Sequence, residues 1–209
     1  MSFIVIEGLD GAGKTTSAAG LAAQLGAVLL SSPPRLVHEW GQPEMGCVAA
    51  PPTAAMGELR HHFDERSPTV RRAYYRAAGL VASELAVRAL ETGRHVVMDR
   101  YWPSTVAFAR LDNPPPEGWF VPGQYPPEYR VPDVVFLLTV NEAGRLRRLD
   151  TGRMGSTEEE GRLADDSARR AKVLDAYHDF DIVEVDTSDR TPDDVVEQCM
   201  AVLRDRELV

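Results

Sequence analysis

Cysteine is scarce. The chain has two in 209 residues, Cys47 and Cys199, far apart and in no metal-ligand spacing. That count gives no support to a disulfide framework or a zinc knuckle, and both thiols read as free in a reducing compartment. Basic residues are also in short supply: 23 Lys and Arg stand against 32 Asp and Glu, a formal net charge of -9. Such a chain is a poor general binder of nucleic-acid backbone, which needs clustered cations. No apolar run approaches the roughly 18 residues that a membrane helix requires. The opening Met-Ser-Phe-Ile-Val-Ile-Glu-Gly has neither the basic start nor the long apolar centre of a secretory leader. The expectation is a cytoplasmic protein with no membrane and no nucleic-acid partner. Internal repeats are absent too. Length and composition allow one α/β domain over 1–209 with a full core.

Five short apolar, β-branched runs alternate with stretches of helical spacing. The strands are expected at Phe3 to Glu7, Val28 to Leu30, His95 to Met98, Val134 to Val140 and Ile182 to Val185. Between them, Thr15 to Leu25 reads as a helix closed by Gly26, and Ser67-Pro68 opens a long one that stops at Gly93. Asn141 caps a short basic helix, Glu158 starts another, and Thr191-Pro192-Asp193-Asp194 starts the last. Residues 112–132 are crowded with proline and read as a loop. Strand-helix alternation implies a parallel sheet covered on both faces.

Gly8-Leu9-Asp10-Gly11-Ala12-Gly13-Lys14-Thr15 satisfies G-x-x-x-x-G-K-S/T, directly after a buried strand and opening a helix. The glycines let backbone N–H groups close around phosphate oxygens, and the helix N-terminus adds partial positive charge. Gly8, Asp10, Gly11, Ala12, Gly13, Lys14, Thr15 and Thr16 are therefore expected at ATP, with Lys14 reaching the outer phosphates and the Thr15 hydroxyl meeting Mg²⁺. A GTPase would carry Asn-Lys-x-Asp after the fourth strand, where Asn141-Glu142-Ala143-Gly144 stands instead. A motor or AAA-type ATPase is usually larger. A small kinase with a second bound molecule remains.

The stretch Val96-Val97-Met98-Asp99-Arg100-Tyr101-Trp102-Pro103-Ser104-Thr105 supplies the acceptor side. Asp99, at a strand end beside the phosphate loop, is placed to hold Mg²⁺ through water. Arg100 can bridge donor and acceptor phosphates and neutralise charge during transfer. Tyr101 and Trp102 read first as packing, and Ser104 and Thr105 either as base contacts or as helix caps. A sugar hydroxyl needs a carboxylate base, whereas a phosphate monoester, with a second pKa of about 6, is already nucleophilic. After the second strand stands Pro33-Pro34-Arg35, an arginine where a base-using enzyme would want an acid. Glu39 keeps a nucleoside kinase as an alternative.

Phe3 to Thr16, Asp99 to Ala109, and Pro132 to Val140 followed by a basic helix and a Gly-Arg turn are similar to the thymidylate kinase family, over nearly the whole chain. Segments such as VLLSSPP, RRAYY, DRYWPST and GRMGSTEEE resemble one branch more closely still, the mitochondrial UMP/CMP kinase type. The resemblance implies a three-layer P-loop fold with a five-stranded parallel sheet, a small arginine-bearing lid at about 145–160, and a homodimer. It implies Asp10 at the sugar 3′-hydroxyl, Tyr74 or Tyr75 stacked on the base, Thr105 at the base edge and Phe108 under the sugar. Arg35 would hold the acceptor phosphate, with Arg71 and Arg72 as further candidates, and backbone around Asp186-Thr187-Ser188 would border the adenine.

The departures bear on substrate. Members usually carry an arginine for the thymine 4-oxo group a turn after the stacking aromatic, and that position falls at Ala78 or Gly79. Arg76 is slightly out of phase. This weakens a thymine-specific reading and leaves room for a 4-amino group. With no arginine between the P-loop glycines, the transition-state cation is expected from the lid, as Arg148 or Arg153, with the Arg145 stem packing inward. The expectation is Mg²⁺-ATP-dependent phosphorylation of a pyrimidine nucleoside monophosphate, UMP or CMP types ahead of dTMP. A non-catalytic nucleotide-binding regulator is the rival of a different class.

Overall fold

Five short strands form one parallel sheet in a computed structural model that describes residues 1–33, 63, 66–112, 120–150, 163 and 166–209. They are β1 (Phe3–Gly8), β2 (Val28–Ser31), β3 (Val96–Asp99), β4 (Val134–Thr139) and β5 (Val183–Asp186), in spatial order β2-β3-β1-β4-β5. All four pairings are parallel, as alternating strands and helices require. The helices are α1 (Lys14–Leu25), α2 (Pro68–Glu91), α3 (Trp102–Ala109), α4 (Glu142–Asp150), α5 (Ser167–Tyr177) and α6 (Pro192–Asp205). Strand ends differ from the sequence expectation by one residue, because pairing carries β3 to Asp99 and β5 to Asp186. The helix expected from Glu158, the lid turn at 151–160, Arg35, Glu39, Cys47 and Arg153 lie outside the described residues. No described helix is long and apolar enough to cross a membrane.

Side-chain alternation divides the core. Ile4, Ile6, Val97, Phe136 and Leu138 meet α1 and α6 on one face. Phe3, Val5, Val96, Met98 and Val135 meet α2 and the start of α3 on the other, where Leu137 and α5 add a third cluster. Helix ends follow their capping residues. The Ser67 hydroxyl accepts from Val70 N–H, and Thr191 and Asp194 form a reciprocal capping box. Buried Cys199 lies in the α1–α6 layer, and burial pushes its thiol up to about 12.

The described part of the Pro-rich loop is knitted onto the core. Trp102 Nε1 donates to Gln124 O at 2.8 Å, the Ser83 hydroxyl accepts from Arg130 N–H at 2.7 Å, and the Tyr129 hydroxyl donates to Arg76 O. Tyr101 and Trp102, each 1% exposed, pack against Tyr129, so both rings belong to the core. Tyr129 closes on α2 at Gly79, where an added Cβ would lie 2.6 Å from its hydroxyl oxygen and 3.1 Å from its ring.

On an open helix face, Gly79→Ala would gain about 1 kcal/mol. Here the overlap with Tyr129 costs about 1–3 kcal/mol and outweighs that gain. Gly79→Ala is expected to lower the melting temperature, by less in a Tyr129→Phe background; calorimetry of the three variants checks both statements.

Candidate active site

The strand order reverses between β1 and β3, and the carboxyl ends of the strands at such a reversal are the usual ligand position in these sheets. Register pairs Ile6 with Asp99, so the P-loop and the Asp99-Arg100 turn leave the sheet side by side. The P-loop bends where no other residue fits: Gly11 has φ of 85°, and a Cβ there would meet Arg145 Cγ at 2.9 Å. The Arg145 stem thus lies against the loop, and its buried guanidinium bonds Glu142 at 2.7 and 2.9 Å. Arg148 donates to Gly11 O at 3.0 Å, and the Thr187 hydroxyl donates to Ala12 O at 3.1 Å. These outer ties fix two carbonyls of the loop, as a nest of N–H groups facing an anion requires.

Beside the loop lies a cleft of about 450 Å³, within the common size range of ligand pockets. Gly11 to Ser17 form one wall, and Arg148, Thr187, Arg190 and Pro192 the other. Of the expected segment Asp186-Thr187-Ser188, Thr187 lines this cleft. The Ser188 hydroxyl instead donates to Asp186 at 2.6 Å and accepts from Asn141 N–H at 2.8 Å. The Ser188 hydroxyl and amide hold the Asp186 carboxyl below the usual range.

Lys14 is buried, with Nζ donating to Leu9 O at 2.8 Å and lying 3.5 Å from Asp10. Arg100 Nη2 reaches the same Asp10 oxygen at 3.1 Å, and its Nη1 donates to Gly8 O at 3.3 Å. Asp10 is thus engaged by two cations. The Thr15 hydroxyl donates to Asp99 Oδ2 at 2.7 Å. Asp99 Oδ1 is buried with no hydrogen-bond partner among the described residues. A hydroxyl and a carboxylate in contact, with a carboxylate oxygen left over, fit Mg²⁺, which takes one or two protein groups and completes its shell with water and phosphate.

On the other side of Arg100, α3 carries Thr105 and Phe108, both buried. The Arg100 guanidinium lies 5.7 Å from the Phe108 ring centre. Tyr74 is stacked on Phe63 with centroids 4.6 Å apart, and Tyr75 meets Tyr74 edge-on. Arg71 and Arg72, the further candidates for the acceptor phosphate, are buried and bonded to Asp112 at 2.6 and 2.7 Å. Arg72 also donates to Phe108 O at 3.1 Å. Arg76 pairs with Glu128 at 2.9 Å on the exposed side. Ser104 is directed inward to Glu7 and Tyr177, and the expectation that it reads a base gives way to that network. Sequence reasoning missed Glu7. Its one signal was an acid in an otherwise apolar, wholly buried strand.

A P-loop beside an Asp-Arg turn on a parallel sheet of this order defines a P-loop nucleotide kinase fold. A family model described as thymidylate kinase matches residues 6–199. Human mitochondrial UMP-CMP kinase 2 is 32% identical over 180 residues, 83% of this chain but 36% of that protein, so the chain spans well under half of that relative. A thymidylate kinase of Leptospira borgpetersenii is 26% identical over 96% of this chain and 92% of its own. Among solved structures, thymidylate kinase from Candida albicans has a TM-score of 0.68 at 20% identity, covering 99% of this chain and 92% of that one. Deoxyadenosine kinase from M. mycoides has 0.60 at 17%, covering 98% and 100%. Those two speak for the fold alone. The chain belongs to the thymidylate kinase family, a family of nucleoside monophosphate kinases.

Asp99→Asn keeps the size of the side chain and removes its charge. It is expected to raise the Mg²⁺ concentration needed for half-maximal nucleotide binding by roughly 10- to 100-fold. Calorimetric titration over a range of Mg²⁺ checks this, with the melting curve as control.

Proposed function

We infer that the chain transfers the γ-phosphoryl of Mg²⁺-ATP to a pyrimidine nucleoside monophosphate, with dTMP as the first acceptor. The observation that carries this is Arg100 at the strand-order reversal, its guanidinium between the P-loop and the α3 side chains Ser104 and Phe108. A cation there faces a donor phosphate on one side and an acceptor phosphate on the other. Transfer between phosphates is a matter of alignment and charge neutralisation, with little covalent work for the protein. Lys14 supplies positive charge at the outer phosphates. Thr15 and Asp99 would hold Mg²⁺, which would supply positive charge at the phosphates. Asp10, held by Arg100 and Lys14, is poorly placed to act as a base on a sugar hydroxyl, which supports a phosphate as acceptor. The sugar and base are assigned to Asp10, Tyr74 or Tyr75, Thr105 and Phe108, and the acceptor phosphate to Arg35 and Arg100. Arg148, with Arg153, is assigned to the lid at about 145–160 of a single domain. The adenine is placed at Thr187.

Placing dTMP first reverses the order expected from sequence. Its support is the family model and the run of relatives named thymidylate kinase. UMP or CMP remains the second reading on a specific observation. Position 79 cannot carry an arginine while Tyr129 fills that space, and Arg76 is paired outward with Glu128. The similarity to UMP-CMP kinase 2 points the same way. A homodimer through α2 and a cytoplasmic location are further proposals, tested by mass in solution and by fractionation.

Steady-state ADP release from Mg²⁺-ATP with dTMP, dUMP, dCMP, UMP, CMP and the matching nucleosides is expected to give the highest kcat/KM with dTMP. Nucleosides should be lower by at least about tenfold. Preference for CMP or UMP would put the second reading first, and turnover with nucleosides alone would contradict both. Lys14→Ala is expected to abolish transfer with dTMP while the melting curve is retained.

A further inference from the structure

Glu7 is the one acid in a strand that is buried throughout, and its neighbours on the same face, Phe3 and Val5, are core. A carboxylate is poorly tolerated there unless its oxygens are bonded. Burial pushes the Glu7 carboxyl above its ordinary range, opposed by the Ser104 hydroxyl, the Arg100 charge and two backbone N–H groups. All of those donors come from one turn. Tyr101 N–H and Ser104 N–H donate to Oε1 at 2.9 and 3.1 Å, and the Ser104 hydroxyl donates to Oε2 at 2.5 Å. Tyr101 is the N-cap of α3 and has no capping side-chain bond of its own. The first N–H groups of a helix need a partner, and β1 supplies it from outside the helix.

The residue before that turn is Arg100, whose φ of 67° lies in the left-handed region that non-glycine residues seldom adopt. Its own N–H donates to Ile6 O at 2.9 Å, and the next N–H goes to Glu7. Two consecutive residues of β1 therefore hold the peptide groups on either side of the Arg100 Cα. The side chain is tied to the same group. A serine hydroxyl has one hydrogen; with that hydrogen on Glu7, Ser104 Oγ accepts from Arg100 Nη1 at 3.3 Å and from the Tyr177 hydroxyl at 2.9 Å.

We propose that Glu7 is a positioning residue for phosphoryl transfer, fixing the backbone of Arg100 directly and its guanidinium through Ser104. The proposal rests on the reading that Arg100 neutralises charge between the two phosphates. Glu7 touches no substrate. Without its carboxylate, Arg100 can relax to a common backbone conformation and move its guanidinium off the P-loop. Misplacement by about an ångström is enough to slow an aligned transfer by up to about 100-fold.

A double-mutant cycle on kcat tests this, with Glu7→Ala, Arg100→Ala and the double variant measured at saturating ATP and acceptor. The expected result is a loss of roughly 10- to 100-fold for Glu7→Ala, with KM for ATP little changed. In the Arg100→Ala background the same substitution should add less than about twofold. Glu7→Gln, whose amide oxygen can still accept both N–H groups, should recover most of the lost turnover. A Glu7 that only supports the fold would lower the melting temperature and slow both backgrounds equally, and equal losses would overturn the proposal. If Arg100→Ala alone leaves kcat intact, the reading of Arg100 falls and the proposal falls with it, a result distinct from the first. Should Glu7→Ala not fold, Ser104→Ala removes only the hydroxyl between Glu7 and Arg100. It should show the same dependence on Arg100, and independence would overturn the proposal.

Discussion

The pairing of β1 with β3 is the constraint on which the chemistry depends. It sets Ile6 beside Asp99 in parallel register, so the phosphate loop and the Asp-Arg turn emerge together at the carboxyl end of the sheet. From that one adjacency follow the Thr15–Asp99 contact, the Arg100 bridge to Gly8 and Asp10, and the Glu7 bonds into α3. The parallel arrangement is what makes it possible, because helices must return the chain and β1 and β3 are then free to end at the same side. Apolar packing of Ile4, Ile6 and Val97 against α1 and α6 keeps the register. A slip by one residue would turn Glu7 to the wrong face.

The site carries an unusual load of buried charge for its size. Glu7, Lys14, Arg72, Asp112 and Arg145 are all largely excluded from water. Such groups seldom raise stability, since replacing a buried ion pair by apolar residues is often neutral or favourable, while removing one partner costs about 3–5 kcal/mol. They are better understood as geometry. The Arg71–Arg72–Asp112 group locks α2 to the end of α3 beside Phe108. The Arg145 stem supports the P-loop at Gly11. The left-handed Arg100, at a cost of about 1–3 kcal/mol, is held by two residues of β1.

Much of this was legible in the residues. A strand, a glycine pattern and a helix in fixed order specify the phosphate loop, because no other residue types allow that backbone. Ser67-Pro68 and Thr191-Pro192 marked helix starts because capping is local chemistry. Long-range partners were not legible. Arg71 and Arg72 read as further candidates for the acceptor phosphate, and nothing in their spacing showed Asp112, some 40 residues away, as their partner. Ser104 looked available to a ligand until Glu7, 97 residues distant, accepted its hydrogen. The Pro-rich loop had no readable role until Tyr129 was found against Gly79. Each of these depends on a contact between segments whose spacing carries no pattern.

The central claim is that the phosphoryl group lands on another phosphate. Phosphorus NMR of a reaction containing Mg²⁺-ATP and dTMP would follow it directly. The account predicts loss of the ATP γ resonance with matching growth of a second diphosphate alongside ADP, and no net inorganic phosphate. Accumulation of inorganic phosphate, or a new monophosphate formed only when a nucleoside replaces dTMP, would contradict it.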